Sequence, residues 1–177
     1  MIFTPLALPG VVLIQPTPHA DDRGRFTRVF CAGEFAANGI ALPVAQCNVS
    51  TNRHRGTLRG LHYQTAPHGE AKLVRVSRGA IFDVIVDLRP DSPRRGQWLA
   101  VELSEANGHM LYIPDGLAHG FQTLQDDTTV DYIMSAPYEP SAAAGLRWND
   151  PGLGITWPIP SPILSDRDKG FPDWQAR

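Results

Sequence analysis

The chain has almost no charge excess, few cysteines and no long apolar run, and each shortage removes a class of protein. Sixteen basic residues against eighteen acidic ones give a formal net charge of −2, which argues against a nucleic-acid or anionic-membrane surface. Cys31 and Cys47 are the only cysteines, too few for a disulfide framework. The opening MIFTPLALPGVVLIQP is apolar but has no leading Lys or Arg and is broken by prolines, so it makes a poor signal peptide. No other run is long enough to span a bilayer. A reducing, cytoplasmic setting follows as the expectation. No glycine-rich loop leads into a helix, which excludes a Rossmann or P-loop phosphate site. Cys47 and Ser50 lack a local nucleophile motif.

Proline and glycine are plentiful, sixteen of each. They punctuate short apolar runs about every ten residues, the pattern of an all-β sandwich or barrel. With 177 residues and 42% hydrophobic content, one domain over 1–177 can bury a real core. Strands are expected at 11–15, 26–30, 44–51, 57–64, 72–77, 80–88, 97–103, 109–113, 119–124 and 128–134, with a short helix at 31–38 stopped by Gly39. Arg78-Gly79 reads as a tight hairpin between two of these strands, and DLRPDSPRRG as a loop. The tail from Pro137 shows little regular structure. Nine or ten antiparallel strands predict a jelly-roll sandwich with short peripheral helices, able to hold a small ligand between its sheets.

Arg59, His62, Glu70, Lys72 and Arg75 crowd into residues 56–76, two β-like runs joined by a Pro/Gly loop. Leu58, Leu61, Leu73, Val74 and Val76 alternate with them, so both runs are expected half buried and able to converge on a small anion. Strict alternation places Arg59 and His62 on opposite faces. They share a face only if the strand bulges between them, and Gly60 is the cheapest place for a bulge. His62 alone reads equally as a structural or a catalytic histidine. His119, after a Pro-Gly turn, is placed to point into a barrel mouth. Metal chemistry would call for His-x-His, a following Glu and a further His. The spacing here is His62 to His68 in a loop, so neither metal nor other cofactor is expected.

The ordered set DDRGRF, QCNVS, GTLRGLHYQ, AKLVRV, GAIFDVIVDLR, LYIPDGLAHGFQTL, RWNDPGLGITWP and LSDRD resembles the dTDP-4-dehydrorhamnose 3,5-epimerase family, over about Val12 to Asp168. That resemblance implies a cupin-type jelly roll without metal and a homodimer whose N-terminal strands cross to the partner. It also implies a nucleotide-linked 4-keto-6-deoxy sugar as substrate. His62 matches the general base, Asp168 the carboxylate that orients it, and Lys72 the cation near the C4 oxygen. Tyr132 matches the acid that returns a proton from the opposite face. Arg59 and His119 match substrate contacts, Arg59 towards the diphosphate, while Arg23 matches a contact from the partner subunit and Gln46 and Asn48 line the cleft. Arg28, Tyr138 and Arg167 complete the expected substrate-binding set, although Tyr132 and Tyr138 each also read as core residues.

Departures fall at the nucleotide end. Arg28 stands where the family usually has an acidic residue, His19 where an aromatic is common, and Ala142, Ala143 and Ala144 where a Glu is common. A CDP-linked sugar is therefore an alternative to the dTDP-linked one. Inversion at one carbon, ketone isomerisation, and a cupin that binds a sugar nucleotide without turnover are the other readings.

Overall fold

The computed structural model describes residues 1–175; Ala176 and Arg177, included in the expected domain, lie outside the described residues. Thirteen strands and two short helices run in the order β1 (Ile2–Pro5), β2 (Val12–Gln15), β3 (His19–Asp21), β4 (Gly24–Phe26), α1 (Ala32–Ala37), β5 (Gln46–Asn52), β6 (Leu58–Gln64), β7 (Lys72–Arg78) and β8 (Ala80–Asp87). They continue as β9 (Trp98–Ser104), β10 (Met110–Ile113), β11 (Leu117–Thr123), β12 (Thr128–Met134), β13 (Ala143–Gly145) and α2 (Asp166–Lys169). One sheet has the order β1-β2-β10-β7-β12-β5, the other β13-β6-β11-β8-β9, and β3-β4 form a separate hairpin. The pairs within all three are antiparallel. No helix among the described residues is long and apolar enough to cross a membrane.

This is the jelly-roll sandwich read from the sequence, with corrections. Arg78-Gly79 is not a hairpin: β7 lies in the six-stranded sheet and β8 in the five-stranded one. The turn carries the chain between sheets. Gly79 has φ +79° and no room for a Cβ beside Thr128, so the crossing itself needs the glycine. The strand expected at 26–30 is only its first residue, the end of β4; residues 27–30 are irregular. The tail after Pro137 is more regular than expected, since it holds β13 and α2.

Between the sheets lie Val74 and Val76 of β7, Ile81 and Ile85 of β8, Phe121 of β11 and Val130 of β12. The outer face of the five-stranded sheet, with Leu58, Leu61, Val84 and Val86, is covered by tail residues Leu146, Leu153 and Trp157. That double cover explains β8, AIFDVIVD: buried on both faces, it reads as a continuous apolar run rather than an alternating one. On the six-stranded sheet, Leu73 and Met110 pack beneath Phe35 of α1.

Candidate active site

The bulge in β6 builds the site. His119 pairs with His62 and Phe121 with Arg59, so β6 has one residue more than β11 across this interval. Gly60 occupies the irregularity at φ +133°, and a Cβ there would lie 2.5 Å from Cα of Gly120. Only glycine fits this approach. The extra residue turns Arg59 and His62 to one side, while Leu58 and Leu61 both join the core beneath the tail.

Arg59 and His62 line a cavity of about 310 Å³ together with Asn48, Lys72, His119 and Tyr132, and Ser50, Phe121 and Met134 complete its wall. His62 and His119 come from the five-stranded sheet, Lys72 and Tyr132 from the facing one. The cavity thus has a basic ring on one wall and an ammonium and a phenol on the other.

His62 bonds through Nε2 to Oδ1 of Asp168 at 2.7 Å, leaving Nδ1 as its other ring nitrogen. Asp168 is buried and held by α2, whose N-cap Ser165 accepts from the Asp168 amide at 3.1 Å. Burial raises the Asp168 pKa. Hydrogen bonding and charge from His62, with further bonds from Ser165 and the Gly60 amide, outweigh it and hold the carboxyl below its ordinary value. Phe171 packs edge-on against the His62 ring.

His119 makes a second such pair, Nε2 to Oδ1 of Asp83 at 2.7 Å, and both side chains are buried. The His119 ring stands edge-to-face with Tyr132, centroids 6.0 Å apart. Burial pushes the Tyr132 phenol far above the ordinary tyrosine range; the Asp83 charge adds to this and Arg59 opposes it. Tyr132 is therefore held as a neutral O–H donor. Arg59 is fixed by its Nε donating to Oδ1 of Asn52 at 2.8 Å. The Asn52 amide in turn donates to the Thr128 carbonyl. Lys72 pairs with Glu70 at 3.1 Å.

Not every expected residue reaches this cavity. Gln46 instead accepts from the Tyr138 amide, and Tyr138 is exposed. Arg167 lies over the Phe171 ring, 5.6 Å from its centroid, one ring removed from His62. Arg23 is on the β3–β4 hairpin, its side chain 90% exposed and bound to Asp21. Arg28 pairs with Glu34 at 3.1 Å on the surface. The charge reversal noted at Arg28 is thus offset by a carboxylate six residues on. Asp83, Asn52 and Phe171 were not singled out from sequence. For Asp83 the signal was present: a lone carboxylate inside IFDVIV needs a buried partner. Among the described residues, no cluster of three or more His, Cys, Asp or Glu could hold a metal ion.

Comparison with known proteins identifies the family. Residues 5–176 match the family model described as dTDP-4-dehydrorhamnose 3,5-epimerase. A protein of that name from Sinorhizobium fredii is 44% identical over 173 residues, 97% of this chain and 89% of the relative. The crystal structure of the Bacillus anthracis dTDP-4-dehydrorhamnose 3,5-epimerase, with TDP and PPi bound, superposes with a TM-score of 0.96. It is 41% identical and covers 98% of this chain and 99% of its own. A 3'-monoepimerase from Streptomyces bikiniensis, in complex with dTDP-quinovose, has a TM-score of 0.90 and 41% identity over 96% of this chain and 86% of its own. A cupin-type jelly roll, the bulged LRGLH strand and two His–Asp pairs facing a buried phenol thus occur together in a chain that belongs to the dTDP-4-dehydrorhamnose 3,5-epimerase family.

Proposed function

We propose that this chain is an isomerase that inverts C3, C5 or both in a dTDP-linked 4-keto-6-deoxy sugar, a reaction of deoxysugar biosynthesis. One observation carries the mechanism: a histidine–aspartate pair and a buried phenol line one cavity from opposite sheets. The C4 ketone acidifies the protons on both neighbouring carbons. His62, its imidazole oriented by Asp168, removes one of them and becomes imidazolium, which the carboxylate stabilises. Negative charge develops on the C4 oxygen as the enolate forms. Lys72 stands ready to donate to that oxygen, a preorganised contact typically worth ~3 kcal/mol. Tyr132 then gives its proton to the opposite face of the planar carbon, and the centre is inverted. No step calls on a metal. Arg59 holds the diphosphate, His119 contacts the sugar, and Asn48 lies beside them.

The nucleotide reading at Arg28 is revised in favour of dTDP. Glu34 occupies the Arg28 guanidinium, and the relatives' names carry dTDP. In this reading Gln46, Tyr138 and Arg167, which do not line the cavity, bind parts of the substrate away from the reacting carbons. A homodimer belongs to the same reading. The β3–β4 hairpin pairs only with itself and is exposed throughout, with Phe26 72% exposed, so it is free to bring Arg23 to a second copy. Two free cysteines, Cys31 and Cys47, are in keeping with a reducing cytoplasm.

The test is a proton NMR time course in deuterium oxide with dTDP-4-keto-6-deoxy-glucose. Deuterium is expected at C3 and C5 of an inverted product. Binding without exchange would leave a sugar-nucleotide-binding cupin. Exchange and inversion at C3 alone would favour the second reading, a single-centre epimerase, which the similarity to the Streptomyces bikiniensis 3'-monoepimerase supports.

A further inference from the structure

Lys72 opens β7 and is 5% exposed. A buried ammonium keeps its charge only if something nearby compensates for the lost water. Glu70 is the group in position. Its Oε1 lies 3.1 Å from Lys72 Nζ, and the two side chains are 9% and 6% exposed. They flank Ala71 at the entry to β7, two residues apart, and their side chains meet there. Ala71 between them is clamped at both ends: its N–H donates to Ser135 Oγ at 2.7 Å, and its carbonyl accepts from the Ser135 amide at 3.0 Å. Gln64 ties the preceding loop down by donating to the His68 and Pro137 carbonyls.

We propose that Glu70 is a positioning residue: it holds Lys72 charged and aims it into the cavity for the enolate oxygen. This rests on the epimerase reading of that cavity. An ammonium has three N–H donors. One meets Glu70, a second reaches the His62 carbonyl at 3.4 Å, and the third remains for a ligand oxygen. The pair is neutral overall, so Lys72 contributes a directed N–H rather than a free cation that would attract any anion. Other charged or titratable groups around Lys72 are Arg59 and His62 on β6, His119 on β11 and Tyr132 on β12. Asp168 on α2 stands behind His62 and Asp83 on β8 behind His119. Asp115, in the loop before β11, lies against Gly69. None of these side chains is bonded to Lys72, whose contact with His62 is to the backbone carbonyl.

Lys72 and Lys169 are the only lysines in the chain, so labelling with 13Cε-lysine gives two signals, assigned by Lys169→Arg. Glu70→Gln keeps the size and an acceptor but removes the charge. Loss of the paired charge is expected to lower the Lys72 midpoint relative to the native protein and to leave the Lys169 signal unaffected. The alkaline limb of kcat/KM should fall with the Lys72 midpoint. Glu70→Asp, which keeps the charge, should retain the native limb. Equal Lys72 midpoints in the native and Gln proteins would overturn the proposal, as would a lowered midpoint with an unmoved limb. Full turnover in Lys72→Met would remove Lys72 from the reaction, and the epimerase reading of this residue would fail independently of the NMR result.

Discussion

His62 and His119 stand directly opposite each other in the antiparallel pairing of β6 and β11, and each is tied through Nε2 to its own aspartate at 2.7 Å. The two pairs are not equivalent. The His62 side chain is 39% exposed and that of His119 5%, so one imidazole is open to a substrate and the other is locked in the wall. A base must meet its proton; a contact that sets the shape of the pocket need not move.

His62→Asn should therefore abolish deuterium incorporation at C3 and C5, with a loss of about 10²–10⁴-fold, while the far-ultraviolet circular dichroism stays native. Near-native exchange in this variant would take the base role away from His62.

Tyr132→Phe should separate exchange from inversion. The enolate still forms, but the proton returns from the side it left, so deuterium enters with retained configuration. Held above its ordinary range by burial and by Asp83, Tyr132 should also stay un-ionised near pH 10, where a free phenol titrates. Absorbance at the phenolate band, native against Tyr132→Phe, should show the same number of groups titrating there.

Asp168 gives a signed pH effect on stability. Its folded pKa lies below the ordinary 3.8, so its stabilisation is complete above that value and is lost as pH falls through the lower folded one. Urea midpoints of the native protein and Asp168→Asn should differ by a constant amount at neutral pH. The gap should narrow below about pH 4. A gap that widens in acid would contradict the assignment.

Gly60→Ala pushes a methyl group into the Gly120 backbone, whereas Gly39→Ala, at φ +75°, meets nothing within 4 Å. Backbone strain of about 1–3 kcal/mol is common to both. The loss of kcat/KM should be confined to Gly60→Ala, because only there does the bulge that turns Arg59 and His62 inward have to move. Equal activity losses in the two variants would make the bulge irrelevant to the site.

Exhaustive chelation should leave turnover unchanged, since the Lys72 N–H supplies at the enolate oxygen the stabilisation a metal would bring. Activity lost on chelation and restored by zinc, manganese or iron would place the protein among metal-dependent cupins.

Much of this was legible in the chain because local rules happened to coincide with tertiary ones. Alternation in LRGLHYQ failed by one residue at the glycine where a bulge is cheapest, and the bulge is there. Arg78-Gly79 misled because a glycine turn looks the same whether the strand folds back on its neighbour or crosses to the facing sheet. The sequence marks Asp83 as a lone carboxylate in an apolar run but not His119 as its partner, because a strand buried on both faces carries no periodicity to show which way the carboxylate points. Glu70 was visible as a charge beside Lys72, but a separation of two residues becomes a buried ion pair only once Ser135 and Gln64 pin the loop. Arg23 matched a motif and Arg28 departed from one, and both lie exposed on the surface of this chain, each paired with a nearby carboxylate, since a motif records identity and not where a side chain ends up.

All four tryptophans of the chain, Trp98, Trp148, Trp157 and Trp174, sit in the cluster where the tail covers the five-stranded sheet. The same tail brings Asp168 to His62, 106 residues away in sequence. The protein's intrinsic fluorescence is consequently a gauge of tail docking, and a refolding trace followed by emission and one followed by turnover should reach their plateaus together.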